Sequence, residues 1–296
     1  MTLSEQQNAP GPIAAGPLAD ADVWFGRLFD DAALFPPRRA HATDAVVEHR
    51  AWRKSGYAQL VGPLVCSDAQ WRGVEQQLEE DDAFELALTV PGGVAALRQA
   101  VASLKRTPVS LTQIELPINN VDEIGQVVDS VREVAAPGVH VYVELPISLL
   151  TSEVCSEVTR AGLRLKVRTG GITADAFPSE LELASAISAC VGAKVAFKLT
   201  AGLHNAVRHR DAKTGFEHHG FLNVLLATSA AVRGSDTSCI ATMLGLENPS
   251  TVSASILALD QELAAAVRQH FISFGTCSID EPIEDLVRLG LIAEAS

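Results

Sequence analysis

The chain has 296 residues, 47% of them apolar and 20% charged, which is material for a large buried core and leaves no compositional case for disorder. A net charge of −13 argues against a nucleic-acid or anionic-membrane surface, since either needs clustered Lys and Arg, so any anionic partner is expected to be a small molecule held locally. No uninterrupted apolar stretch approaches ~18 residues, the first twenty residues lack a leader pattern, and the five cysteines (Cys66, Cys155, Cys190, Cys239, Cys277) are widely spaced without CxxC, a pattern that reads as reduced thiols in a cytoplasmic protein.

Residues 1–20 mix Pro, Gly, Ala and Gln without periodicity and read as a flexible tail, leaving 21–296 as a single domain. From there, runs rich in β-branched and apolar residues recur roughly every thirty residues, the length of a βα unit. Eight are visible: 28–35, 57–66, 83–90, 109–117, 139–146, 163–169, 194–200 and 271–278. Helix starts fall between them where Ser67 precedes Gln70, Asn120 precedes Glu123 and Ser179 precedes Glu182, the spacing of a capping box. This order predicts an α/β fold, a (β/α)8 TIM barrel, whose size of about 250 residues fits the segment after the tail. A doubly wound open sheet is the rival, but no GxGxxG or GxxxxGK[ST] follows the first strand. Between the seventh and eighth strands, residues 201–270 are too many for one helix, and helical patterns near 219–233, 236–246 and 252–270 predict an extended helical insertion.

Strand alternation then sorts side chains into a helix-facing apolar set and an inward polar set. Inward on the fourth strand are Gln113 and Glu115; on the fifth His140, Tyr142 and Glu144; on the sixth Arg164, Lys166 and Arg168; on the seventh Lys194, Ala196, Lys198 and Thr200. The late members sit at the carboxyl-end mouth, where barrels place their chemistry: Glu115, Glu144, Arg168, Lys198 and Thr200, with Lys166 a layer below. QIELPI at 113–118 and YVELPI at 142–147 set the two glutamates at equivalent points of consecutive strands. Such charges inside a barrel must be paired or hold a ligand, so an internal salt-bridge layer is the structural alternative to a binding site. Asp30 and Asp31 end the first strand, where one must face inward, and Asp31 is carried forward as the mouth residue. The glycines of RTGG (Gly170, Gly171) and LTAGLHN (Gly202), with Gly275 and Thr276 of FGTCS, put backbone amides where an anion can approach. His204, four residues beyond Thr200, is within reach of the mouth as an acid or base.

The segments DDAALFPP, KVRTGG, FKLTAGLHN, HGFLNVLL and FGTCSIDEP resemble a functionally uncharacterised bacterial family of (β/α)8 barrels from about residue 29 onward. A fainter similarity is to class I aldolase barrels of the deoxyribose-phosphate aldolase type, which place lysines on the sixth and seventh strands ahead of small residues and glycine. That resemblance implies an imine-forming amine at Lys198 or Lys166, because Arg168 stands where a lysine near the glycines is expected.

The leading expectation is therefore a lyase or aldolase-like enzyme acting on a small anionic carbonyl or phosphorylated substrate without an organic cofactor. Lys198 is the amine, its pKa depressed by Arg168; Glu115 or Glu144 moves the proton; and Arg168, Lys166, Thr200, Asp31 and the glycine loops hold the anion. A metal-dependent alternative uses Glu115 and Glu144, with Asp31 or His204, to hold Mg²⁺ or Mn²⁺. A non-catalytic ligand-binding barrel is the third reading. The polar stretch from His204 to His219 is expected to form a mobile lid over Lys198, and the surplus helices after it to cap the mouth or form a homodimer contact.

Overall fold

A computed structural model describes residue 18 and residues 21–104 and 108–295. Apart from Leu18, whose amide donates to the Leu291 carbonyl, the expected tail lies outside the described residues.

Eight parallel strands close into a barrel: β1 (Phe29–Asp31), β2 (Val61–Ser67), β3 (Glu85–Thr89), β4 (Ser110–Pro117), β5 (His140–Glu144), β6 (Arg164–Arg168), β7 (Phe197–Thr200) and, after a two-stranded hairpin of β8 (His209–Arg210) and β9 (Glu217–His218), β10 (Phe271–Thr276). Around the barrel the order is β1, β10, β7, β6, β5, β4, β3, β2, so each strand pairs with its predecessor through a helical crossover and β10 closes the ring onto β1. Every expected strand is present, and the chain has the α/β architecture of a TIM barrel. Lys194 is a correction: it precedes β7 in a left-handed turn, with φ of 56°, and its side chain is exposed rather than inward.

The alternation works as chemistry demands. Val167, Phe197 and Leu199 face Leu183, Ala186, Ile187 and Cys190 of the helix Glu180–Gly192, so their neighbours Lys166 and Lys198 turn inward. Ser67 and Ser179 each accept a hydrogen bond from the amide three residues on, and the Gln70 and Glu182 side chains accept one from the cap's own amide, completing both capping boxes. Asn120 departs from this pattern. It caps a 3₁₀ turn through the Asp122 amide while Glu123 accepts from Asn119, because the tighter turn brings the acceptor one residue nearer.

The insertion holds four helices, Phe221–Val232, Thr237–Leu244, Pro249–Leu257 and Gln261–His270. The pattern read as one helix over 252–270 is broken where Asp260 accepts from the Leu263 amide and starts a new helix. Phe221–Val232 is mostly apolar and is buried without a break from Phe221 to Ala230, so it is covered all round. Phe221 stacks on Phe274 and packs edge-on to Phe29 of the barrel, while the helix Glu180–Gly192 and the other three helices of the insertion pack against the remaining sides. The surplus helices thus bury this helix within the same chain. The segment expected to be a mobile lid is fastened as a hairpin: His218 contacts the Gly202 carbonyl and the Phe177 ring, His219 the Pro178 carbonyl, and Arg208 the carboxylates of Glu180, Glu217 and Glu247. Among the described residues no helix is long and apolar enough to cross a membrane.

Candidate functional site

Parallel register puts the inward side chains of neighbouring strands at matched heights. Glu115 of β4 is level with Tyr142 of β5, Glu144 of β5 with Lys166 of β6, and Lys166 with Lys198 of β7. The result is a continuous acid and amine network running from the barrel core to the rim.

At its deep end the Lys198 side chain, 1% exposed, is ion-paired to Asp30 of β1 and to Glu115, whose Oε1 lies 2.5 Å from Nζ. Gln113 Oε1 accepts a third bond at 2.9 Å, and the ammonium faces the Tyr142 ring 5.2 Å from its centre. Ser273 of β10 donates to Asp30 at 2.8 Å. In the middle, Lys166 Nζ lies 2.7 Å from Glu115 Oε2 and 3.1 Å from Glu144 Oε2. Its approach to Glu115 Oε2 is off the hydrogen-bonding direction, so that buried oxygen has an ion-pair partner and an unused acceptor position. At the rim Arg168, half exposed, reaches Glu144 at 3.0 Å.

The electrostatics follow from the pairing. Burial alone pulls Lys198 toward the neutral amine, but Asp30 and Glu115 outweigh it and hold the ammonium charged, its pKa above the ordinary lysine value. Burial pushes Glu115 up, and Lys166 and Lys198 overcome that and hold it at about 2. Burial raises Asp30 above the ordinary carboxylate value, with Lys198 opposing. The expected depression of Lys198 by Arg168 is therefore overturned: the guanidinium is aligned with Thr200, two residues beyond Lys198, and spends its charge on Glu144.

Glu115, Glu144, Lys166, Arg168 and Lys198 are brought together. Asp31 is not with them: its Oδ2 meets His49 Nδ1 at 2.9 Å on the helix Ala42–Lys54, and Asp30 takes the inward place. The parity of β1 carried that signal, since apolar Phe29 faces the helix layer and alternation turns Asp30 inward. Gly62 of β2 makes the room, because a Cβ there would lie 2.3 Å from Asp30 Oδ1. Ser273, and the contacts of Gln113 and Tyr142 with Lys198, are further members that sequence reasoning left without a role. His204 sits beyond β7, its Nδ1 2.9 Å from Glu281 Oε2, and Thr276 Oγ1 lies 3.4 Å from the same nitrogen. The Thr200 carbonyl accepts from the Thr169 amide, and its strand neighbour Gly275 has ordinary room around it. Gly170 and Gly202 allow two loops to touch: a Cβ on Gly170 would lie 2.8 Å from the Gly202 Cα, and Gly202 has φ of 78°. A Cβ on Gly171 would meet that of Ala176.

The ligands named for Mg²⁺ or Mn²⁺ are not assembled. Among the described residues no group of three or more His, Cys, Asp and Glu is placed to hold a metal ion, and the Lys166 ammonium lies between Glu115 and Glu144 where that cation was expected.

The class defined by fold and site is a parallel eight-stranded barrel carrying a lysine–carboxylate network from its interior to its mouth. No protein-family model matches the chain, and no curated protein matches it.

Proposed function

We propose that this protein is a lyase or aldolase-like barrel enzyme that takes a small anionic carbonyl compound and forms an imine with it at Lys166. The carrying observation is the shared carboxylate: Glu115 bridges two lysines at the same height, of which Lys198 is sealed between Asp30 and Glu115 while Lys166 is the more exposed. Lys198 is closed in by two fully buried carboxylates and serves as the fixed cation of the site, whereas Lys166, whose second partner Glu144 is 21% exposed, serves as the reacting amine. The amine adds to the carbonyl carbon and the carbonyl oxygen leaves as water. Glu144, nearer the rim, takes the proton from Lys166 and returns protons to the departing oxygen and the reacting carbon. Arg168 offers the open guanidinium for the anionic end of the substrate.

Incubation with aldehydes and 2-ketoacids in the presence of borohydride, followed by peptide mapping, tests this. The expected result is a stable adduct on Lys166 that is lost in Lys166→Met. Absence of adduct across the panel, or an adduct confined to Lys198, overturns it. The second reading, an internal ion layer that fastens strands together, rests on the balance of three acids (Asp30, Glu115, Glu144) against three cations (Lys166, Arg168, Lys198). It predicts that Lys166→Met lowers stability while no compound of the panel raises the melting temperature.

A further inference from the structure

The opposite side of the mouth, where β7, β10 and β1 end, carries a second cluster that the lysine network does not use. Cys277, the residue after β10, has its Sγ 3.9 Å from His204 Nδ1. The same nitrogen lies 2.9 Å from Glu281 Oε2, on the first turn of the helix Asp280–Arg288. The thiol is presented by a tight turn in which Thr276 Oγ1 donates to the Ser278 carbonyl at 2.9 Å and accepts from the Ser278 amide at 3.3 Å. His204, with Arg38 of the loop after β1 adding to it, holds Glu281 below the ordinary carboxylate value.

We infer that Cys277 is a nucleophilic thiol site, with small aldehydes as its electrophiles. Nucleophilic cysteines sit beside cationic groups, and His204 faces this sulfur from the loop after β7. Burial opposes charge on His204, but its contacts with Cys277 and Glu281 outweigh that and hold it up at about 9, so the imidazole is cationic at neutral pH. Glu281 is the acidic group turned toward the cluster. Its carboxylate keeps the imidazolium in place at the shorter distance, and Arg38 is itself paired with Glu48. In the reaction the sulfur forms a bond to the aldehyde carbon, the carbonyl π pair moves to oxygen, and that oxygen takes a proton from the imidazolium. The thiol gives its proton up to water before the attack, and water returns one to the imidazole afterwards. The product is a hemithioacetal, with nothing oxidised and no group leaving. The site stands independently of an imine at Lys166, which lies on β6.

The other cysteines supply internal references: Cys239 is exposed, while Cys66, Cys155 and Cys190 are buried. Labelling the native protein with iodoacetamide at pH 6, with site-resolved mass spectrometry, should modify Cys277 at least tenfold faster than Cys239 despite its 7% exposure. Glycolaldehyde should slow labelling at Cys277 alone. His204→Gln should abolish the advantage, Glu281→Gln should reduce it, and both should leave Cys239 unchanged, which reports that the fold and reagent are intact. Lys166→Met should leave the Cys277 rate as it is, separating this site from the imine reading. A Cys277 rate no higher than that of Cys239, or one indifferent to His204→Gln, overturns the thiol site; a rate indifferent to glycolaldehyde overturns the aldehyde assignment.

Discussion

Glu115→Gln isolates the carboxylate that the two lysines share. In the folded protein Glu115 is held at about 2 against an ordinary value of 4.5. At ~1.4 kcal/mol per pH unit this corresponds to ~3 kcal/mol of stability at neutral pH. Removing one member of a buried ion pair costs about 3–5 kcal/mol by comparison with other proteins, the same range. For a chain of this size ~1 kcal/mol moves the midpoint by about 2 °C, so Glu115→Gln should melt ~6 °C below wild type at pH 7. The sign of the pH dependence follows from the lowered pKa: the contribution is fully present above about 4.5 and is lost as pH falls through about 2. The gap between wild type and variant, from urea unfolding at a series of pH values, should close over that window. Lys166→Met and Glu115→Gln should also be non-additive, the double variant costing ~1–3 kcal/mol less than the sum, since each single change strands the other's partner. A Glu115→Gln loss below about 1 kcal/mol, or a gap independent of pH, would refute the claim that this carboxylate neutralises two buried amines.

His204 gives the opposite pH dependence: its value is raised to about 9, so its contribution is complete below about 6.5 and lost as pH rises through about 9. The melting-temperature difference between wild type and His204→Gln should therefore shrink across that interval; a constant difference would mean that the imidazolium and Glu281 are not coupled. Gly202→Ala should cost at least ~1–2 kcal/mol for the left-handed backbone alone, and its Cβ would also lie 2.7 Å from the Thr169 carbonyl. Gly275→Ala, whose nearest neighbours are 3.7 Å away, is the matched control and should change urea stability by less than about 0.5 kcal/mol. Equal losses at the two positions would contradict the close approach of the β6 and β7 loops.

Strand number, the parallel crossover order and the inward parity of Glu115, Glu144, Lys166, Arg168 and Lys198 were all readable along the chain. Each follows from local periodicity: alternation in a strand is a property of successive residues, and a helix between strands compels parallel pairing. The same holds for the caps at Ser67 and Ser179, where donor and acceptor are three residues apart. Partner choice is different, because it depends on distances between residues remote in sequence. Two adjacent aspartates at 30 and 31 differ only in which face of β1 they occupy. Barrel closure then brings Asp30 to Lys198 while Asp31 meets His49. Arg168 and Lys198 lie on adjacent strands, yet a two-residue offset sends the guanidinium to Glu144 and leaves the ammonium between two carboxylates, reversing the expected shift. Cys277 and His204 are 73 residues apart and meet only where β7 and β10 pair, and the helix Phe221–Val232 found its cover in the barrel, the helix Glu180–Gly192 and the rest of its own insertion. Sequence sets which groups a strand presents to the interior, whereas closure of the barrel decides which charges share the low-dielectric space, and that sharing decides their protonation.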